Sequence, residues 1–94
     1  MKRLFIANRG EIALRILRAC KDLGIETVAA YTRADKHLLH LRWADRNVCV
    51  GRRSYLDGPQ MIEAAQLSGC DAVHPGYGFL SENSEFARSV EDAG

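Results

Sequence analysis

A three-layer α/β fold around a parallel sheet is predicted by this sequence, on three observations. Short apolar runs fit for strands buried on both faces recur along the chain, the first at Leu4-Phe5-Ile6-Ala7. Stretches with apolar residues at helical spacing lie between them. Glycines punctuate the junctions, at Gly10, Gly24, Gly51 and Gly69. Such alternation makes βα units, whose crossovers are right-handed almost without exception and bring successive strands together as parallel neighbours.

Each element has its own warrant. After the first strand, Asn8-Arg9-Gly10 breaks the apolar run as a βα turn. From Glu11 to Leu23 the residues Ile12, Ile16, Ala19, Cys20 and Leu23 recur at helical spacing, and Gly24 supplies a left-handed stop. Residues 25–31 are β-branched and aromatic enough for a second strand. Asp35 is a cap candidate for a short helix to Leu41 or Ala44, and Asn47-Val48-Cys49-Val50 reads as a third strand ended by Gly51. Asp57-Gly58-Pro59 then starts a helix with Met61, Ile62 and Ala65 as its buried stripe, stopped at Gly69. Ala72-Val73-His74 is a brief fourth strand, and Asn83 caps a last helix with Phe86, Val90 and Ala93 on one face. The rhythm calls for another strand after Gly94, so the chain reads as one domain, residues 1–94, opening a larger protein.

Composition bounds the function. A chain of 94 residues buries roughly 60–65% of its unfolded surface, which supports a fold of modest stability. Thirteen basic and twelve acidic residues, spread along the chain, give a net charge of +1 and no electrostatic case for nucleic acid or an anionic membrane. Without a long apolar segment or a small-residue cleavage site near the N-terminus, the expectation is a soluble, cytoplasmic protein. Cys20, Cys49 and Cys70 have apolar neighbours and no metal-binding spacing, and are expected to be buried reduced thiols.

The chemistry concentrates in the run from His74 to Asn83, where two glycines, Tyr77, Phe79 and the carboxylate of Glu82 follow a strand. In an open α/β sheet ligands gather at the carboxyl ends of strands, and a Gly-x-Gly loop admits close approach of backbone amides. A tight turn with buried aromatics is the other reading. The first βα turn lacks the fingerprints of dinucleotide-binding and P-loop sites. Arg9 with the amides of the helix start would suit an anion, or Asn8 would cap the helix with Arg9 paired at the surface. His37 and His40 read as a solvated face, with no metal set completed around them, and His74 as a hydrogen-bonded structural residue. Glu11, Arg15, Arg18 and Asp22 gather four charges on one helix face, suited to solvent or to a polar, self-complementary dimer contact.

The stretch from Ile6 to Arg15, Ala44-Asp45 with Val48-Cys49-Val50-Gly51, Ser54-Tyr55-Leu56, and His74 to Asn83 together resemble the N-terminal domain of biotin carboxylase, over essentially the whole chain. The resemblance implies a Rossmann-like pre-ATP-grasp domain, as in acetyl-CoA, propionyl-CoA, methylcrotonyl-CoA and pyruvate carboxylases. The complete enzyme uses ATP, Mg and bicarbonate to carboxylate carrier-bound biotin, and the acetyl-CoA member serves fatty acid biosynthesis. The implied partners are the rest of the biotin carboxylase chain, the biotin carboxyl carrier protein, a carboxyltransferase and a second copy in a homodimer. The resemblance also implies that the catalytic and metal-holding residues lie beyond this segment, leaving none here and a fragment inactive alone that binds none of the cofactors. It assigns Tyr77 and Gly78, with Glu82 nearby, to the wall of the bicarbonate and biotin pocket. It assigns Arg15, Arg18 and Asp22 to the dimer interface, Asp22 standing where glutamate is common. The pattern departs at Arg52-Arg53, where a longer loop is usual, and at Trp43 and Arg46, which replace aliphatic and acidic residues. Two other readings of the chain are a stand-alone nucleotide-binding regulatory module and a purely structural dimerisation domain.

Overall fold

The computed structural model describes residues 1–50, 55, 58–76, 80 and 83–94. Strand β1 (Arg3–Ile6) leads into helix α1 (Gly10–Leu23), then β2 (Glu26–Tyr31), β3 (Arg46–Cys49), α2 (Gly58–Leu67), β4 (Ala72–His74) and α3 (Ser84–Ala93). The strands form one parallel sheet in the order β3-β2-β1-β4, with Phe5 opposite both Val28 and Val73. The chain steps outward from β1 to β3, then jumps back across β1 to β4. The direction of winding therefore reverses between β1 and β4.

The pleat of β1 splits the core in two. Phe5 and Ala7 face Val28, Ala30, Met61 and Phe86 on the side of α2 and α3, while Leu4 and Ile6 face Ala13, Leu17 and Cys20 of α1. Phe5, Ile6 and Met61 have no measurable exposure, and each such side chain contributes about 1.5–3 kcal/mol by leaving water. This is the expected three-layer parallel α/β architecture. Among the described residues no helix is long and apolar enough to cross a membrane.

Several local expectations hold. Gly24 ends α1 at φ 73°, where a side chain would be strained, and the Ile25 N–H returns to the Cys20 carbonyl at 2.9 Å. Asn83 caps α3 through its side-chain oxygen, which accepts from the Phe86 N–H at 3.0 Å. Asp57, expected to cap α2, lies outside the described residues.

Others are corrected. The buried face of α1 is Ala13, Leu14, Leu17 and Cys20, not the stripe from Ile12 to Leu23. Apolar residues cover more than half the helix circumference, so the sheet takes one part and the other is left half-covered. Ile12, Ile16, Ala19 and Leu23 instead line a groove with Val73 of the edge strand β4. No α-helix starts at Asp35. Two 3-10 turns (Arg33–Asp35 and Leu39–Arg42) stand there, because the Asp35 side chain is drawn to Arg9 rather than capping its own segment. Of the thiols, Cys20 is buried, Cys70 half-buried and Cys49 exposed on the edge strand β3, so burial holds fully only for the first. Burial pushes the Cys20 and Cys70 thiols up in pKa, which keeps them protonated and unreactive.

Candidate functional site

The winding reverses between β1 and β4, and the carboxyl ends of two such strands are where open α/β sheets form the crevice that collects ligands. Its floor is built from two chain ends tied together. The Ala7 N–H donates to the His74 carbonyl at 3.1 Å, extending the ladder one residue past β1. Asn8 is completely buried, and its Nδ2 donates to the Pro75 carbonyl at 2.6 Å while its Oδ1 accepts from the Arg9 N–H at 2.7 Å. Asn8 thus braces the loop after β4 instead of capping α1, whose N-cap is Arg9 without a side-chain cap bond. Gly76 has φ 70°, and its N–H donates to His74 Nδ1 at 3.0 Å. His74 is therefore a hydrogen-bonded structural residue that shapes the start of the glycine loop.

Beside this floor stands a network that crosses from β1 to the segment after β2. Arg9 Nε and Nη2 donate to the two carboxylate oxygens of Asp35 at 2.7 and 3.0 Å, a bidentate pair. The Tyr55 hydroxyl donates to Asp35 Oδ2 at 2.6 Å and accepts from the Thr32 N–H at 3.4 Å. The Arg9 bond, helped by Tyr55 and opposed by burial, holds the Asp35 carboxyl below the usual carboxylate range. Burial, with the Asp35 bond behind it, pushes the Tyr55 phenol up to about 12. The network fixes the Arg9 guanidinium at the start of α1 with its charge balanced by Asp35, so what this corner offers an anion is the first backbone N–H groups of the helix and the guanidinium N–H groups not bound to Asp35.

His40 is a correction to the solvated-face reading. Its side chain is 1% exposed, and neither ring nitrogen has a partner among the described residues. Burial pushes its pKa down, so the ring is held neutral, packed as a core residue near Asp35 and Arg9. His37 is exposed as expected.

The expected site residues fall in two places. Tyr77, Gly78 and Glu82 lie outside the described residues, although Pro75 and Gly76 carry the chain into that loop from the crevice. Arg15, Arg18 and Asp22 are exposed on α1, and Arg15 pairs with Glu11 at 3.4 Å. Arg18 lies over the ring of Trp43, 5.4 Å from its centroid. Sequence reasoning missed Asn8 as a brace and Asp35 with Tyr55 as the seat of Arg9. The signal for Asn8 is its place directly after a fully buried strand, where a polar side chain must find partners.

The family model described as the biotin carboxylase N-terminal domain matches residues 1–94. The chain belongs to that family. It is 56% identical to a biotin carboxylase of Haemophilus influenzae, covering all of this chain and 22% of that protein. It is 52% identical to the methylcrotonoyl-CoA carboxylase alpha subunit of Arabidopsis thaliana, covering all of this chain and 13% of that protein. Among solved structures, the complete multifunctional pyruvate carboxylase of Rhizobium etli superposes with a TM-score of 0.96 at 44% identity, over all of this chain and 10% of that one. The chain therefore spans less than a quarter of the length of these biotin carboxylase N-terminal domain relatives.

Proposed function

We propose that this chain is the N-terminal domain of an ATP-dependent biotin carboxylase, inactive alone. The complete enzyme would carboxylate carrier-bound biotin from bicarbonate and MgATP, the first half-reaction of the acyl-CoA carboxylases. The family match over residues 1–94 carries this reading, and the reversal of winding at the carboxyl ends of β1 and β4 is consistent with it. The described part of the crevice there offers a fixed arginine, backbone donors and a braced loop, which suits positioning an anionic reactant rather than bond-making. Among the described residues no cluster of His, Cys, Asp or Glu could hold a metal ion. Mg, with ATP, is assigned to the rest of the enzyme on the family resemblance.

Tyr77, Gly78 and Glu82 are proposed as the wall of the biotin and bicarbonate pocket. Tyr77→Ala in the complete subunit is expected to lower biotin carboxylation roughly tenfold with the melting temperature retained, the size of a lost orienting contact. Unchanged turnover would remove Tyr77 from the site. Arg15, Arg18 and Asp22 are proposed as part of a homodimer contact, where arginines among carboxylates pair across a twofold axis. Arg15→Glu with Arg18→Glu should shift the sedimenting species of the complete subunit from dimer to monomer, and an equally dimeric variant would clear this helix of the role. The remaining partners proposed are the biotin carboxyl carrier protein and a carboxyltransferase, with the cytoplasm as the location.

A further inference from the structure

Between β2 and β3 the chain runs through the two 3-10 turns, Arg33–Asp35 and Leu39–Arg42, with no α-helix or strand of its own. Turn bonds link them end to end. The Asp35 N–H donates to the Thr32 carbonyl at 2.9 Å, the Leu38 N–H to the Asp35 carbonyl at 3.0 Å, and the Leu41 N–H to the Leu38 carbonyl at 3.2 Å. The segment is tied to the body of the domain through side chains rather than a strand ladder. Asp35 holds Arg9 and Tyr55, and Asn47 Nδ2 of β3 donates to the Leu41 carbonyl at 3.0 Å. A segment held in this way opens at lower cost than the sheet beside it.

In the second turn His40 is 1% exposed, and neither ring nitrogen has a hydrogen-bond partner among the described residues. Such a ring is tolerated in the core only while neutral, because the charged form carries two N–H donors that have left water. The charges acting on it are Asp35 in the first turn, which favours the proton, and Arg9 ahead of α1, which opposes it. Both Asp35 oxygens already accept bonds, from Arg9 and from the Tyr55 hydroxyl, so a charged ring finds no free carboxylate there. Arg33, Lys36, His37 and Arg42 of the segment, Arg18 and Lys21 of α1, and Asp45 and Arg46 where β3 begins are all exposed, and water screens them.

We propose that His40 is the trigger of an acid-released latch: when its ring takes up a proton, the two turns open together from the sheet and Asp35 is withdrawn from Arg9. Arg9 then loses the carboxylate that balances it, while the sheet and its helices stay folded. Linkage drives the opening. Burial, with Arg9, outweighs Asp35 and lowers the pKa of the closed ring below the ordinary 6.5, whereas the open segment returns the ring to water. The opening constant therefore rises by up to about tenfold for each pH unit below about 6.5, until the closed form titrates as well. Asp35 does not enter in this range, because Arg9 and Tyr55 hold its carboxyl below the usual carboxylate range. The latch rests on a buried ring and a run of turn bonds, so it stands apart from the biotin carboxylase reading.

The test is amide hydrogen exchange of the 94-residue chain between about pH 7 and pH 5, corrected at each pH for the intrinsic exchange rate. Asp35 and Leu41 report the two turns, and Ala7, whose N–H donates to the His74 carbonyl, reports the sheet. Protection at Asp35 and Leu41 is expected to fall together by at least about fivefold over that range and to stay below that of Ala7 throughout. His40→Leu removes the titrating ring and should leave both profiles flat, and His40→Gln serves the same purpose should the first variant fail to fold. His37→Gln, at an exposed histidine of the same segment, should keep the wild-type fall. A flat wild-type profile would overturn the proposal, as would an undiminished fall in the His40 variants. Equal protection at all three amides would overturn it in favour of unfolding of the whole chain. A fall at Leu41 alone would confine the opening to the second turn, leave Asp35 on Arg9 and remove the latch.

Discussion

Gly76→Ala is expected to cost about 2–4 kcal/mol of stability and to reduce biotin carboxylation by the complete subunit more than tenfold. Two effects add. The residue has φ 70°, and an L side chain held in that region costs about 1–2 kcal/mol. A Cβ there would also stand 2.7 Å from Asn8 Nδ2 and 2.7 Å from Ile12 Cγ2, closer than any relaxed contact. Neither neighbour yields cheaply, since Asn8 is completely buried with its amide held by the Pro75 carbonyl, and Ile12 is in the first turn of α1. Overpacking of this kind costs typically about 1–3 kcal/mol.

The activity loss follows from what must move. If Asn8 gives way, the Pro75 carbonyl loses its donor and the loop toward Tyr77 shifts, and a displacement near 1 Å in a positioning element can cost on the order of a hundredfold in rate. Gly24→Ala separates strain from geometry. Gly24 has φ 73°, but a Cβ there meets nothing within 4 Å. It should therefore lower the melting temperature modestly and leave turnover unchanged. Equal effects of the two variants on turnover, measured by bicarbonate-dependent ATP hydrolysis, would show that the crevice does not depend on the close packing at Gly76.

The period of the pattern made most of the fold legible. Gly24 and Gly69 marked helix ends, Asn83 marked a helix start, and the runs at residues 4–7 and 72–74 marked two strands, because each rests on interactions within a few residues. What depended on distant partners was not legible. A run of apolar residues covering more than half of α1 does not say which part meets a sheet, so the stripe through Ile12 and Ile16 looked as good as the true face at Ala13 and Leu17. Asp35 looked like a cap because caps are local, while its partners Arg9 and Tyr55 are 26 and 20 residues away. The place of β4 beside β1 likewise decides where the crevice lies, and no local signal carries it. The glycine loop marked the position of the proposed site, but the brace at Asn8 and the seat of Arg9 needed the fold.

Asp35→Asn is expected to cost about 2–3 kcal/mol near neutral pH, lowering the melting temperature by about 10–20 °C in a chain of this size. Most of that comes from Tyr55 and not from the ion pair. The Arg9 side chain is 44% exposed and recovers water when its partner loses charge, so the Coulombic part is small. Tyr55 is 4% exposed, and its hydroxyl loses a charged acceptor at 2.6 Å for a neutral one that must also satisfy its own new N–H groups. The pH dependence gives the sign. Because the folded pKa of Asp35 lies below its unfolded value, its contribution is complete above the unfolded value near 4 and is lost as pH falls toward the folded one. Urea unfolding of the two proteins should therefore differ most above about pH 5 and converge below about pH 4. At the alkaline end Tyr55, raised to about 12, holds its proton longer folded than unfolded, so the wild type should lose stability between pH 10 and about 12 by a step that Tyr55→Phe lacks. A gap between wild type and Asp35→Asn that stayed constant down to pH 3 would mean that Asp35 acts through its shape and not through its charge. The Arg9 guanidinium would then be placed by packing, and the anion-favouring corner of the crevice would stand without this network.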